Sequence, residues 1–249
     1  MSIAGNHALV TGGGSGIGRA IALALAEAGV AVTICGRRRE ALEAVRHPRI
    51  HSIVADVTDP ASIAALYDEA QAARGAFDIV VANAGAAASA PAATVSLDAW
   101  QASLAVNLTG AFLTVQPALA AMVKAGRGRI VFIASTAGLR GYAYVAPYVA
   151  AKHGVIGLMR ALAIETAASG VTINAVCPGF AETEMLARSL DAITAKTGRS
   201  EAEARAALAN PQGRFVTPEE VAAAVLWLAS DAARSVTGQA ISVSGGETW

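Results

Sequence analysis

The sequence predicts an α/β protein built on a parallel, doubly wound sheet, and three observations carry that expectation. Short runs rich in β-branched residues recur along the chain, Ala- and Leu-rich stretches long enough for helices separate them, and a glycine-rich turn follows the first run directly. Apolar runs with little alternation suit strands covered on both faces, and strands that alternate with helices favour parallel pairing. Hydrophobic residues form 54% of the 249 positions and charged residues 15%. So much apolar surface predicts a large core and helices that are themselves covered, in part by other copies of the chain, as a homo-oligomer of dimer or tetramer type.

Taken in order, seven strands are expected at residues 8–11, 30–35, 50–55, 79–82, 130–134, 171–176 and 240–243. The first helix follows the glycine turn, over 19–28, and a helix-like stretch spans 98–115. Two later helices carry their own start signals. Thr217-Pro218-Glu219-Glu220 reads as an N-cap, a proline at the first helical position and a glutamate reaching back, and Ser200 to Glu203 repeats the cap-box pattern. No repeat or linker divides the chain, so a single Rossmann-like domain over 1–249 is expected, with a helical insertion at about 184–214 acting as a lid. Met185, Leu186, Leu190 and Ile193 in this insertion could form an apolar face over a substrate, while Arg188, Lys196, Arg199 and Arg205 could meet an anionic tail.

Lys+Arg and Asp+Glu both number 19, which leaves no positive surplus for nucleic acid or an anionic membrane. The N-terminus enters an apolar run with no basic region or cleavage site, and no unbroken apolar run reaches the ~20 residues of a membrane span. A cytoplasmic location is the expectation. Cys35 and Cys177 read as two small buried thiols. His7, His47, His51 and His153 show no metal-ligand spacing, and no metal is expected.

The chemistry begins at Thr11-Gly12-Gly13-Gly14-Ser15-Gly16-Ile17-Gly18. Glycines between a strand and a helix let the backbone turn tightly and bring N–H groups against a pyrophosphate, whose charge the helix N-terminus favours. A plain flexible turn is the alternative. After the second strand, where an acidic residue would bind ribose hydroxyls, the chain has Gly36 followed by Arg37, Arg38 and Arg39. Arg37 and Arg38 can pair with a 2′-phosphate through charge-assisted bonds, which points to NADP(H); a merely solvated basic turn would leave NAD(H) as the cofactor.

Tyr148 and Lys152 stand one helical turn apart, on one face. A nearby cation stabilises a phenolate, so this pair is expected to lower the tyrosine pKa and to pass a proton in either direction. Such a pair is also common on surfaces. Ser135, however, ends a buried strand thirteen residues earlier, where a hydroxyl faces the crevice of a parallel sheet. Asn83-Ala84-Gly85 ends another strand, and Asn107 lies in the 98–115 segment.

The ordered set Thr-Gly-x-x-x-Gly-x-Gly, Asn-Ala-Gly, Asn, Ser, Tyr-x-x-x-Lys and Pro-Gly resembles the short-chain dehydrogenase/reductase family over essentially the whole chain. The resemblance implies a catalytic tetrad of Asn107, Ser135, Tyr148 and Lys152. It implies a cofactor site from Gly12, Ser15, Gly16, Ile17 and Gly18, with Asp56 and Val57 near the adenine and Asn83, Ala84 and Gly85 along the dinucleotide. Pro178, Gly179, Ala181 and Thr183 would stand on the nicotinamide side. In this scheme Ser135 binds the substrate oxygen, Tyr148 protonates it, Lys152 binds ribose and biases Tyr148, and Asn107 holds a water linking Lys152 to solvent. Ala82 departs from the family pattern, which commonly has a first Asn there.

The implied activity is hydride transfer between a nicotinamide and a carbonyl or secondary alcohol, with a 3-oxoacyl or 3-hydroxyacyl thioester, on CoA or a carrier protein, as the favoured small-molecule substrate. An NAD-dependent dehydrogenase of a hydroxy acid, cyclic alcohol or steroid alcohol is the alternative. A non-catalytic dinucleotide sensor is a further one, since fold alone does not dictate function.

Overall fold

A computed structural model describes residues 3 and 5–248. Seven strands form one sheet: β1 (His7–Thr11), β2 (Ala31–Gly36), β3 (Ile50–Val54), β4 (Ile79–Ala82), β5 (Gly128–Ile133), β6 (Val171–Pro178) and β7 (Ala240–Val243). Their order is β3-β2-β1-β4-β5-β6-β7, and every neighbouring pair is parallel. All seven expected strands are present, with ends that differ by a few residues. β5, for example, starts two residues before the expected Ile130 because Gly128 and Arg129 already pair with Val171 and Thr172.

Helices cover both faces. α1 (Gly16–Glu27), α2 (Arg39–Glu43) and α9 (Pro218–Leu228) close one side, where Ile21, Leu25, Leu42, Val221, Val225 and Leu228 join the buried face of β1 and β2. On the other side α3 (Pro60–Arg74), α5 (Gly110–Ala125) and α6 (Ala146–Thr166) bury Ile63, Leu66, Val115, Met122, Val155 and Met159 against Phe132 and Ile173. This explains why the strands read as nearly continuous apolar runs: β1, β4, β5 and β6 are buried at every position.

α4 (Leu97–Leu104) runs through a π turn at Ala105–Thr109 into α5, so that residues 97–125 form a single apolar helical stretch, 39% buried over its most apolar window. This stretch is long and apolar enough to span a bilayer by composition, contrary to the expectation drawn from unbroken runs. Its inner stripe nevertheless packs into the core through Ala111, Val115, Ala118 and Met122. Leu97, Trp100 and Val123 remain exposed on it, and Ile164 on α6.

The insertion folds as a helical hairpin of α7 (Glu184–Thr197) and α8 (Glu201–Leu208). Both expected cap boxes are formed, at Ser200–Glu203 and at Thr217–Glu220.

Candidate active site

Because all strands are parallel, every segment following a strand emerges on the same edge. The chain order reverses between β1 and β4, each of which pairs with the other and then with a neighbour on opposite sides, and a crevice opens at such a switch point. The glycine turn leaves β1 there, Asn83–Gly85 leaves β4, Ser135 follows β5, and Pro178–Gly179 ends and leaves β6. Arg37 and Asp56 leave β2 and β3 farther along the same edge.

The turn is built for close approach. Gly12 has φ +66°, and a Cβ there would come within 2.9 Å of Asn83 Nδ2 and 3.1 Å of Ala84 Cα. A Cβ on Gly18 would lie 2.3 Å from the Gly12 carbonyl oxygen. The Thr11 hydroxyl accepts the backbone N–H groups of Asn83 and Ala84, each at 3.0 Å, while Asn83 Nδ2 donates to the Thr11 carbonyl at 2.8 Å. The Asn83 side chain therefore locks the β4 end to the turn. Ser15 is the N-cap of α1, and Ile17 packs against the α1 side of the core. Across the crevice, Thr183 caps α7 through its hydroxyl and lies against the turn, its Cγ2 3.1 Å from where a Gly16 Cβ would be.

Glycine at 36 places no side chain beside the exposed Arg37 and Arg38. Arg38 meets Glu184 at 3.4 Å, an exposed pair joining β2 to the start of α7. Arg37 has no ion-pair partner within 4.0 Å among the described residues, and its charge helps hold the Asp56 carboxyl below its usual range, behind the larger effect of the Thr58 N–H. Val57 is buried against Gly110.

Two of the four residues expected to form the tetrad, Asn107 and Lys152, stand beside Gly85. A Cβ on this glycine would stand 2.8 Å from Asn107 Oδ1 and 3.7 Å from Lys152 Nζ. Lys152 is buried, at 4% exposure, donates to the Ile133 carbonyl at 2.8 Å and lies 5.6 Å from the centre of the Tyr148 ring. Burial lowers its pKa from 10.5 to about 8. Pro147 stands in the first turn of α6, and Tyr148 after it is half-buried, with its phenol hydrogen-bonded to Ser135.

One expectation changes here. Burial pushes the Tyr148 phenol above its usual value, with Ser135 as the hydroxyl that opposes the rise. The ammonium faces the ring and the Ile133 carbonyl instead of the phenolic oxygen, so the expected lowering by Lys152 does not arise in the protein alone. Asn107, in the π turn, spends its side chain on the backbone: Nδ2 donates to Ala86 and Ser103 carbonyls at 2.8 and 3.0 Å, and Oδ1 accepts from Ala86 N–H at 3.1 Å. It fixes the chain after β4 in place, and its Oδ1 keeps one lone pair on the side of Gly85 where Lys152 Nζ also lies.

The insertion turns much of its apolar face inward. Leu186 and Leu190 face α8 and Phe215 in a small cluster of their own, with Phe180 and Ile193 at its edge, so the hairpin consumes most of its apolar face. Arg188 pairs with Glu184, and Arg205 with Glu182 and Glu201. Lys196 donates to the Ser89 carbonyl at 3.4 Å, bridging α7 to the loop after β4. Of the four cations, Lys196 and Arg199 have no carboxylate partner among the described residues. Sequence reasoning missed two groups at this edge, Tyr142 and Glu247, which are 105 residues apart and hydrogen-bonded to each other; no local motif marks such a pair.

A model of the family described as short chain dehydrogenase matches residues 6–193, more than half of the chain. The chain belongs to the short-chain dehydrogenase family. Similarity continues beyond the matched segment. A protein assigned as ketoacyl reductase 1 of the granaticin polyketide synthase in Streptomyces violaceoruber is 43% identical, with 96% of this chain and 92% of that one covered. D-beta-hydroxybutyrate dehydrogenase of Cupriavidus necator is 39% identical over 97% of each chain. Among solved structures, a single-site variant of actinorhodin polyketide ketoreductase crystallised with NADPH superposes with a TM-score of 0.94, at 38% identity and 97% coverage of both chains. As a member of this family the protein is an oxidoreductase acting on hydroxyl and carbonyl groups.

Proposed function

We propose that the protein is an NADP(H)-dependent reductase of a 3-oxoacyl thioester, working at the edge where the glycine turn, Ser135, Tyr148, Lys152 and the Pro178–Thr183 segment meet. The observation that carries this reading is their convergence on one edge of the sheet, from the ends of β1, β5 and β6 and from the first two turns of α6. The residues fit a dinucleotide. The turn excludes any Cβ at Gly12 and Gly18, which is what a backbone cradle for a pyrophosphate requires, and the buried Lys152 has two further N–H groups to offer beyond the Ile133 bond. Gly12, Ser15, Gly16, Ile17 and Gly18 would hold the pyrophosphate, Arg37 with Arg38 the 2′-phosphate, Asp56 and Val57 the adenine side, Ala84 and Gly85 the middle, and Pro178, Gly179, Ala181 and Thr183 the nicotinamide side. The bound nicotinamide supplies the hydride.

The chain's own groups handle the proton and the geometry. Ser135 orients the substrate oxygen by hydrogen bonding, and Tyr148, kept protonated at neutral pH by its raised pKa, donates its phenolic proton to that oxygen during reduction. Lys152 binds ribose hydroxyls and stabilises the phenolate that remains, and Asn107 positions the segment after β4. Lys196 and Arg199 on the hairpin provide cations for an anionic carrier arm, so residues 184–214 serve as the lid of a single 249-residue domain. The exposed apolar residues of α4, α5 and α6 form the contacts of a homo-oligomer, a tetramer in this reading.

Relatives that act on an acyl ketone and on a free hydroxy acid make the second reading specific: a dehydrogenase of a short hydroxy acid. Steady-state reduction of acetoacetyl-CoA, acetoacetate and cyclohexanone with NADPH separates the two. The proposal expects the highest kcat/KM for acetoacetyl-CoA; equal or better use of acetoacetate would replace it with the second reading, and no turnover of any of the three would remove it.

A further inference from the structure

We propose that Glu247, two residues from the C-terminus, is a positioning residue that sets the distance between the two walls of the substrate cleft. This rests on the reading that the segment after β5 and the Pro178–Gly179 turn are those walls.

One carboxylate touches both. Glu247 Oε1 accepts a hydrogen bond from the Tyr142 hydroxyl, which is also bonded to Thr136 Oγ1 at 2.8 Å. Thr136 is buried and directly follows Ser135, so this chain of bonds ends one residue from the group assigned to the substrate oxygen. Glu247 Oε2 lies against the other wall, 2.7 Å from where a Cβ on Gly179 would be. Oε2 is buried and has no hydrogen-bond partner among the described residues. Leaving a buried carboxylate oxygen unsatisfied is costly, so a carboxylate at this place calls for a reason beyond tying down a terminus.

The surroundings supply that reason. Tyr142 stands edge-on to Phe180, with ring centres 6.2 Å apart and planes at 88°, and Arg140 covers its ring at 5.0 Å. Phe180 in turn borders the small core of the α7–α8 hairpin. The carboxylate therefore fixes where the Tyr142 ring meets Phe180 and the base of the lid. The tail itself is braced independently, since Ser242 Oγ bonds both Ser244 Oγ and Thr248 Oγ1, at 2.8 and 2.7 Å. Loss of the carboxylate would thus release Tyr142 without freeing the whole tail, and the cleft would lose its grip on substrate while the cofactor site stayed intact.

The test compares Glu247→Ala, Glu247→Gln and Tyr142→Phe, each checked for folding by thermal melting, on whichever of acetoacetyl-CoA, acetoacetate and cyclohexanone the parent protein reduces best. Glu247→Ala and Tyr142→Phe should each raise KM about tenfold, the scale of one lost buried hydrogen bond, with a much smaller change in kcat and unchanged NADPH affinity by direct titration. Glu247→Gln keeps an oxygen for the phenol and should restore KM to near the parent value. The double variant Tyr142→Phe/Glu247→Ala should be no worse than Tyr142→Phe alone, which already removes the bond to Glu247. An unchanged KM in Glu247→Ala, additive effects in the double variant, or a Gln variant as impaired as Ala would each overturn the assignment. If Glu247→Ala fails to fold, Tyr142→Phe with Glu247→Gln decides it by the same criteria. A parent protein that turns over none of the three ketones would instead fail at the level of the proposed function.

Discussion

Lys152 shows how a single residue can be unfavourable for the fold and required by the site. Its ammonium is buried with one carbonyl partner, and its pKa falls from 10.5 to about 8 because burial penalises the charged form. The unfolded chain keeps that proton up to about pH 10.5, so the cost to folding is fully present below pH 8 and fades as pH rises from 8 to 10.5. Lys152→Met should accordingly raise stability at pH 7 by up to ~3 kcal/mol while abolishing most turnover, and the gain should shrink toward pH 10.5. Denaturant unfolding at the two pH values checks this; a variant less stable than the parent at pH 7 would contradict it. Arg37 makes a simpler case. Gly36 carries no carboxylate, and Arg37 is exposed without an ion-pair partner among the described residues. Arg37→Ala should weaken NADPH binding by about tenfold or more, on the scale of a charge-assisted bond worth ~1.5–3 kcal/mol, and leave NADH nearly unchanged in a fluorescence titration.

At the scale of elements, what could be read from the sequence was what local chemistry specifies. The apolar runs of β1, β4, β5 and β6 are strands covered at every position, and the Thr217-Pro218-Glu219-Glu220 signal starts α9 through reciprocal bonds between Thr217 and Glu220. Arg214 adds two bonds to Glu220, at 2.8 and 2.6 Å, and holds the Glu220 pKa down to about 2. Thr217→Ala should cost about 1 kcal/mol by thermal or denaturant unfolding, the usual value of an N-cap, and α9 packs directly on α1, so the loss should register globally. Features set by tertiary partners escaped the sequence. The π turn at Ala105–Thr109 has no residue signature, yet it turns Asn107 toward Ala86. The apolar stripe of α7 reads equally well as a cover for substrate or for a neighbouring helix, and α8 with Phe215 took it. Tyr148 was placed correctly on its helix face, whereas its raised pKa depends on how deeply α6 settles against Ser135, which spacing does not encode.

For the molecule as a whole, seven parallel strands send their following segments to one edge, and the order reversal between β1 and β4 opens that edge into a crevice. The apolar exterior left uncovered includes Leu97, Trp100, Val123 and Ile164. Replacing Trp100 with Glu should shift the sedimentation profile to a smaller species if these residues form the oligomer contact; an unchanged profile would place the contact elsewhere. The central claim is that the crevice is a reductase site in which Tyr148 delivers the proton. Tyr148→Phe tests it most directly, since it removes one hydroxyl and keeps the shape of the pocket. The account predicts that turnover falls by about 10² or more while NADPH, measured by direct titration, binds as in the parent protein. Near-parental turnover with intact NADPH binding would contradict it.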